Sequence, residues 1–420
     1  MPEFSDIGRK LSAKSGILEL MDDLGMAMTT RPDMRMLGGG NPAAIPEMQA
    51  VWRERIGELT ASGEIDRVLV NYDPPQGSPA FCRAIACALR EEFGWDLTEK
   101  NVAITTGGQT AFFYLFNLLA GEREGKRRRI LIPLMPEYIG YANQGMSDDL
   151  FTSQPAFVEE TGPHEFKYHV DFDNLEVGDD IAAICASRPT NPSGNTLTDV
   201  EVKKLAALAE QNGIPLILDN AYGLPFPGAI FSKATPVWNE RIILTLSLSK
   251  IGLPGTRTGI VIASEEICRA LASMTAVTGL ANNNLGQAIA RPLVESRELF
   301  RLSREVVRPF YEERSVRARK IAQEAFGEEV PWAIHRSEGA FFLWIRFPGL
   351  PVSTMELYRR LKERGVLVIP GEYFFFGLPE DEDWAHPHEC IRVTFSQSED
   401  VVREGIGIIA DEVRTIFGAQ

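Results

Sequence analysis

The sequence has few of the residues that build metal sites and disulfide frameworks. It contains five Cys and five His among 420 residues, and it has no C-x-x-C pair. An odd number of scattered Cys is typical of a reduced, cytoplasmic protein without disulfides. His386 and His388 form an H-P-H pair with no matching Cys or His cluster nearby. We therefore expect a polar loop at residues 379–388 and no bound metal.

Basic residues are outnumbered and long apolar runs are missing. Lys and Arg total 43 against 58 Asp and Glu, which gives a formal net charge of −15. This balance argues against nucleic acid as a partner, but it does not exclude one small basic pocket for an anion. The basic run at residues 126–129 reads as a solvated loop. The longest apolar run, residues 111–120, is too short to span a bilayer, and the first 14 residues do not resemble a signal peptide, so no membrane partner is expected.

Short apolar runs alternate with helical patterns from about residue 100 onward. The runs predicted as buried strands are residues 102–106, 130–134, 181–187, 215–219, 242–248 and 259–263. Residues 199–212 have the apolar spacing of a helix. This alternation indicates an α/β fold, with a mostly parallel sheet covered by helices on both faces. Because parallel strands end along one edge of such a sheet, ligands are expected at that edge.

The pattern changes after about residue 295. Residues 293–326 form a charged helical stretch that reads as a connector between domains. Apolar strands then follow at residues 341–347, 366–369 and 391–395, with a helix at residues 354–364. These elements predict a second, smaller α+β unit.

A lysine stands at the end of one predicted strand. Ser247, Ser249 and Lys250 form an S-x-S-K motif, and Arg257 follows seven positions after the lysine. Burying an unpaired ammonium is costly, so Lys250 either extends to solvent or has a lowered pKa and forms a Schiff base. Two Ser hydroxyls and an Arg nearby suit a phosphate group.

Three further motifs follow predicted strands. Asp219 ends a buried strand, where it either caps a helix or faces a ligand. Asn191 belongs to an N-P-S-G segment, which turn chemistry alone also explains. Gly107 and Gly108 precede an apolar helix whose free N–H groups would bind a phosphate, although two Gly after a strand are also common in turns. Each motif alone therefore has a purely structural explanation.

Together the motifs resemble one family. They occur in the order glycine turn, N-P-x-G, D-x-A-Y, S-x-S-K and Arg, and residues 249–259 fit the pattern S-x-x-x-x-P-G-x-R-x-G. This set resembles the aspartate-aminotransferase family, the class I and II aminotransferases of fold type I. The resemblance implies an α/β three-layer large domain at residues 46–295. It also implies a smaller α+β domain built from residues 1–45 and 296–420.

The resemblance also implies pyridoxal 5′-phosphate as the cofactor. Lys250 would carry it as a Schiff base and move a proton between the substrate Cα and the cofactor. Asp219 would pair with the ring nitrogen, while Asn191 and Tyr222 would bind the ring oxygen. The residues expected around the phosphate are Gly108, Gln109, Ser247, Ser249 and Arg257.

Four more residues match positions at the edge of the family's site. Tyr138 is expected to stack on the cofactor ring, unless it is a core aromatic. Tyr72 matches a tyrosine that reaches the phosphate of the partner subunit, which implies a homodimer. Arg392 would hold the substrate carboxylate, unless it forms a structural ion pair. Gly40 matches the turn whose N–H meets the same carboxylate.

Longer strings narrow the expected activity. Residues 37–43, 136–141, 166–172 and 220–228 are similar to the branch of the family that transfers the amino group of valine to pyruvate. This resemblance implies a ping-pong reaction between small amino acids and 2-oxo acids. Ile17, Leu18 and the Phe run at residues 374–376 are candidates for the walls of the side-chain pocket.

There are four alternative functions. Another aminotransferase, acting on aromatic or small aliphatic amino acids, or a carbon–sulfur lyase could use the same fold and cofactor. A regulator with a DNA-binding module would need a long N-terminal helix-turn-helix, but only about 40 residues precede the turn at Gly40. A nicotinamide enzyme is disfavoured because no G-x-G-x-x-G joins a strand to a helix.

Overall fold

The computed structural model describes residues 3–13, 15–30, 33–379 and 382–418. Helices α1 to α14 are Asp6–Leu11, Gly16–Thr30, Pro46–Ala61, Glu64–Val70, Pro79–Phe93, Gly108–Leu119, Asp199–Gln211, Glu265–Gly279, Asn284–Glu295, Glu298–Leu302, Arg308–Phe326, Thr354–Glu363, His386–Glu389 and Glu399–Gly418. Strands β1 to β16 are Arg35–Met36, Val102–Thr105, Gly121–Arg123, Lys126–Met135, Phe151–Pro155, Phe157–Gly162, Glu165–His169, Ile181–Ser187, Leu216–Asp219, Ile242–Ser247, Gly259–Ile262, Ala333–His335, Phe342–Arg346, Val366–Leu367, Ile369–Pro370 and Cys390–Thr394.

An eight-stranded sheet forms the centre of the large unit. Its order is β2-β11-β10-β9-β8-β4-β3, with β5 on β4. The central strands β10, β9, β8, β4 and β5 pair in parallel, whereas β11 runs antiparallel to both of its neighbours. Every residue of β8 is buried, as expected for a parallel strand covered on both faces. The predicted α/β fold with a mostly parallel sheet is therefore confirmed.

Local signals explain where several helices begin. The Thr198 hydroxyl accepts a hydrogen bond from the Glu201 N–H, and the Glu201 carboxylate accepts one from the Thr198 N–H. This capping box starts α7 at the position that its apolar spacing predicted. Pro46 and Pro79 stand in the first turns of α3 and α5, where a missing N–H costs nothing.

A second sheet of six strands has the order β15-β16-β13-β12-β7-β6. Its pairs are antiparallel except β12 with β7, which align Ile334 with Glu165 and His335 with Phe166. The β6–β7 hairpin thus joins strands from the C-terminal part, although it lies inside the predicted large domain of residues 46–295. Such long-range pairing has no local signal in the sequence. The division into two domains stays a prediction. At this hairpin the strand pairing differs from it, because β7 pairs with a strand of the predicted smaller domain.

The predicted solvated loop at residues 126–129 is wrong. Lys126 begins β4, which pairs with β3 in a hairpin. Arg127 binds Asp149 at 3.0 Å, and the Nε of Arg129 donates to Asp180 at 2.6 Å. The basic run is therefore part of the sheet, and two of its charges have nearby counter-ions.

The expected connector at residues 293–326 is divided rather than one helix. α9 ends at Glu295, and Arg297 has a left-handed φ of 61°. A π-helical turn, Ser303–Val307, then separates α10 from α11. The Ser303 hydroxyl donates to the Pro225 carbonyl at 3.0 Å, which ties this turn to the large unit.

The predicted polar loop around the H-P-H pair is also wrong in part. His386 begins the short helix α13 and is only 3% exposed, with its ring stacked on Trp384. Residues 380–381 of this stretch lie outside the described residues. Within the described ranges, no group of three or more His, Cys, Asp or Glu is arranged to hold a metal. No helix in those ranges is long and apolar enough to cross a membrane.

Candidate active site

The carboxyl ends of the central strands bring the sequence motifs together. Ser187 on β8 aligns with Asp219 on β9, which aligns with Thr245 on β10. Farther along, Ser247 aligns with Gly259, which aligns with Thr105. The residues that follow these positions are the N-P-S-G turn, the S-x-S-K lysine and the glycine turn. The edge predicted from parallel pairing is therefore where these motifs meet.

Lys250 lies in a short 3-10 turn directly after β10. Its Nζ donates to the Gly40 carbonyl at 2.7 Å and stands 5.4 Å from the centre of the Tyr222 ring. Burial, together with the charges of Arg392 and Arg257, lowers the pKa of Lys250 to about 8, while Asp219 opposes the shift. A larger share of the amine is therefore neutral near physiological pH than in an exposed lysine.

Asp219 is 8% exposed and accepts three hydrogen bonds. Its donors are the Ala221 N–H at 2.9 Å, the Thr245 hydroxyl at 3.3 Å and the Tyr141 hydroxyl. Burial raises the pKa of Asp219, and the hydrogen bonds from Tyr141, Ala221 and Thr245 act in the opposite direction. The carboxyl is therefore fixed in orientation before any ligand arrives.

Arg392 is a buried cation with only neutral acceptors. It lies in β16 and is 2% exposed. Its Nη1 donates to Asn191 Oδ1 and its Nη2 to the Gly38 carbonyl, both at 2.7 Å, while Nε has no hydrogen-bond partner among the described residues. Burial lowers the pKa of Arg392 to about 10, so it stays charged at neutral pH. Among the described residues, no carboxylate pairs with Arg392, so the alternative of a structural ion pair is not supported.

The glycine turn and the Arg257 guanidinium lie against each other, in an arrangement suited to an anion. Gly107 has a φ of 85°, and α6 starts at Gly108, around whose missing side chain no atom lies within 4 Å. The Arg257 guanidinium lies over Gly107, and in the described chain it has no acidic partner. Free helix N–H groups beside an unpaired guanidinium favour a phosphate.

The other predicted phosphate residues lie on segments next to this turn, because Ser247 pairs with Gly259, Gly259 pairs with Thr105, and Gln109 is in the first turn of α6. The Ser249 N–H donates to the Ser247 hydroxyl at 3.1 Å, and both side chains are buried. The Gln109 side chain donates to the Gly140 carbonyl at 2.9 Å. The side-chain amide of Gln109 is therefore already hydrogen-bonded to the loop that follows Tyr138. Its backbone N–H is the group that could bind an anion.

Two aromatic residues line the edge. Tyr222 is 5% exposed and packs edge-on against Phe341, at 5.1 Å between ring centres. Tyr138 is partly buried and packs edge-on against Tyr141 at 5.3 Å. Burial raises the pKa of both Tyr138 and Tyr222, so each hydroxyl is a neutral hydrogen-bond donor at neutral pH.

Not every predicted residue joins this cluster within one chain. Tyr72 is 80% exposed after α4, next to the exposed side chains of Leu69 and Val70. Leu18 is also largely exposed, which removes its support as a pocket wall, whereas Ile17 packs against the core. Phe374 is fully buried, and its ring centre is 5.4 Å from the Arg392 guanidinium.

Sequence reasoning missed two buried groups at the edge, Tyr141 and Glu137. Tyr141 holds Asp219, and Glu137 accepts hydrogen bonds from Ser187 and Tyr138. Both stand in the string P-E-Y-I-G-Y at residues 136–141, which carries part of the family resemblance. A carboxylate directly after an apolar strand was the available signal for Glu137, and it is the same signal that singled out Asp219.

The sheet order and the small second unit define an aspartate-aminotransferase-like fold. The aspartate aminotransferase of Thermus thermophilus with maleate has a TM-score of 0.78 and 19% identity, covering 98% of this chain and 100% of that one. Residues 49–409 match the family model for aminotransferase class I and II. The chain therefore belongs to this family and is an aminotransferase.

Two relatives are considerably more similar. The chain is 47% identical over 411 residues to the valine–pyruvate aminotransferase of Escherichia coli K12, covering 98% of each sequence. The crystal structure of valine-pyruvate aminotransferase from Salmonella typhimurium LT2 has a TM-score of 0.89 and 46% identity, covering 96% of this chain and 100% of that one.

Proposed function

We propose that this aminotransferase uses pyridoxal 5′-phosphate to transfer the amino group of L-valine to pyruvate, giving 3-methyl-2-oxobutanoate and L-alanine. The observation that carries the proposal is the Lys250 amine, with a pKa lowered to about 8, beside Asp219 and Arg392 at the sheet edge. The choice of substrates is supported by the two relatives of that name at 46–47% identity. The reaction is ping-pong, since donor and acceptor both need the single carboxylate clamp.

The residues at the edge fit this cofactor. Arg257 lacks an acidic partner in the described chain and lies beside the open start of α6, which suits the phosphate. Asp219 still has capacity to accept a hydrogen bond from a protonated ring nitrogen. Asn191 and Tyr222 supply neutral polar groups for the ring oxygen. When bound, the cofactor withdraws electrons from the substrate Cα and stabilises the negative charge that forms there.

The protein's own groups then position the substrate and move its proton. Arg392 presents two N–H groups to the substrate carboxylate, with the Gly40 N–H as a further donor. Asp219 holds a proton at the ring nitrogen through its negative charge. Lys250, partly neutral at pH 7, would take the proton from the substrate Cα and deliver it to the C4′ carbon of the cofactor.

The pocket walls should favour small apolar side chains. We assign Ile17 and the Phe run at residues 374–376 to these walls and leave out Leu18. Apolar walls distinguish one methylene by only about 1–3 kcal/mol, so 2-aminobutyrate and other aliphatic amino acids should also react. The proposal includes a cytoplasmic homodimer in which Tyr72 reaches the partner's phosphate, supported by the exposure of Tyr72 in the single chain.

Replacement of Lys250 by Ala tests the chemistry. We expect Lys250→Ala to lose valine-dependent alanine formation and the visible absorbance of a lysine-bound cofactor. Lys320→Ala is the control, because the Lys320 side chain is 76% exposed on α11. Retained turnover in the Lys250 variant would contradict the assignment.

A panel of amino donors with pyruvate tests the substrates. We expect valine to give the highest rate of alanine formation, with 2-aminobutyrate next and aromatic donors far lower. Faster reaction with aromatic donors would assign the chain to another aminotransferase. Ammonia and pyruvate released from cystathionine, without alanine from valine, would instead indicate the carbon–sulfur lyase.

A further inference from the structure

Glu137 is a buried carboxylate that the proposed mechanism does not use. It follows β4 and is 1% exposed. Its Oε1 accepts from the Ser187 N–H at 2.7 Å, and its Oε2 accepts from the Ser187 hydroxyl at 2.8 Å and the Tyr138 N–H at 3.0 Å. In the described chain it has no salt-bridge partner. Burial raises its pKa, whereas the hydrogen bonds from Ser187 and Tyr138 favour the ionised carboxylate. Its position is therefore maintained by hydrogen bonds alone.

These bonds join three segments of the site. Ser187 ends β8 and starts the segment that reaches Asn191. Tyr138 lies close enough to Arg392, Asp219 and Arg257 for their charges to affect the pKa of its hydroxyl. The Glu137 N–H donates to the Phe374 carbonyl at 3.0 Å, which adds the Phe run of the smaller unit. One residue thus connects the segments of the stacking aromatic, the Asn191 turn and a pocket wall.

The chemistry of the contact requires a carboxylate. Two backbone N–H groups, from Ser187 and Tyr138, donate to different oxygens of Glu137. Glutamine has one acceptor oxygen, so its NH₂ group would face one of these donors. A buried donor without an acceptor is costly and is relieved by movement of the backbone. The backbone would move either at Tyr138 or at Ser187, which precedes Asn191. Each of these movements would change the proposed cofactor site.

We propose that Glu137 is a positioning residue of the active site. Its carboxylate fixes the backbone at Tyr138 and Ser187, and thereby sets how Tyr138 and Asn191 meet the cofactor ring. This inference rests on the proposed cofactor, and it adds a requirement that the family resemblance did not name for this position.

Glu137→Gln tests the inference through the bound cofactor as well as through activity. The apoprotein is titrated with pyridoxal 5′-phosphate, and the visible circular dichroism of the bound cofactor is recorded. We expect about tenfold weaker cofactor binding and a changed circular dichroism band, with a lower kcat. The matched control is Glu389→Gln, another buried carboxylate with both oxygens bonded, to Arg346 and Gly349 at 2.7 Å. It should lower Tm without changing cofactor affinity or the band.

A milder variant and a double variant complete the test. Ser187→Ala removes only the hydroxyl donor, so we expect the same spectral change at smaller size. Adding it to Glu137→Gln should cause almost no further change, because both act through one contact. If Glu137→Gln lowers Tm but leaves cofactor affinity and the band unchanged, the inference is wrong. If that variant does not fold, an unchanged band in Ser187→Ala contradicts it. Failure of the wild-type protein to bind the cofactor would instead contradict the proposed function.

Discussion

The charge of single residues explains why the site should bind a carboxylate. Arg392 is 2% exposed, yet its hydrogen bonds go to an amide and a carbonyl, and its Nε has no hydrogen-bond partner in the described part of the chain. A buried cation without a counter-ion is destabilising, so an incoming carboxylate would supply the negative charge that the described residues do not place beside Arg392. The neutral acceptors hold the guanidinium in place without neutralising it.

Arg392→Lys tests this interpretation at one residue. The variant keeps the charge but loses the planar pair of donors, so the KM values for valine and pyruvate should both rise, by about tenfold or more, while cofactor binding stays close to that of the wild type. Steady-state kinetics and a cofactor titration provide the measurement. Arg346→Lys is the control, because Arg346 lies on the same sheet and pairs with Glu389. Unchanged KM values for both substrates would contradict the clamp.

At the scale of elements, local patterns predicted the strands but not all of their contacts. β8, β9 and β10 are continuous buried apolar runs, so their positions and the edge that they form followed from the sequence. Glu137 meets Ser187 only because β4 lies beside β8, and strand order is not a local property. The counter-ions of residues 126–129 are distant in sequence for the same reason. Strand positions could be predicted because they depend on local sequence. Contacts between side chains on different strands could not, because they depend on which strands are neighbours in the sheet.

The turn between β2 and α6 gives a prediction at this scale. Gly107 has a φ of 85° and ψ of 165°, and a Cβ there would approach the Arg257 guanidinium more closely than real Cβ contacts allow. Gly107→Ala should therefore displace Arg257, weaken cofactor binding by about tenfold or more, and cost on the order of 1–3 kcal/mol of stability. Cofactor titration and thermal unfolding measure the two effects.

Gly57→Ala is the matched control for this turn. Gly57 is exposed on α3, and no atom lies within 4 Å of its missing side chain. It should leave cofactor binding unchanged and stabilise the helix by roughly 0.5–1 kcal/mol. A Gly107→Ala protein that binds the cofactor as tightly as the wild type would show that Arg257 does not need its observed position.

At the scale of the whole molecule, the net charge of −15 and the chemistry of the site have opposite signs. Arg392 and Arg257 are close enough to Lys250 to lower its pKa, so three cationic groups meet at one edge of the sheet. A locally positive cleft attracts anions regardless of the charge on the outer surface. An acidic outer surface is therefore compatible with the binding of a phosphate and a carboxylate at this edge.

The role of Tyr72 determines whether the active site needs residues from two chains. It is 80% exposed, so in a single chain it contributes nothing to the site described above. If it completes the partner's phosphate site, Tyr72→Ala should weaken cofactor binding, and mixing that variant with Lys250→Ala should restore activity. In the mixed dimer, one site combines an intact Lys250 with an intact Tyr72 from the other subunit. If Tyr72 acts within its own chain, no site in the mixture is complete, and activity should not exceed that of Tyr72→Ala alone. Denaturing and refolding the two variants together, with each refolded alone as a control, distinguishes these outcomes.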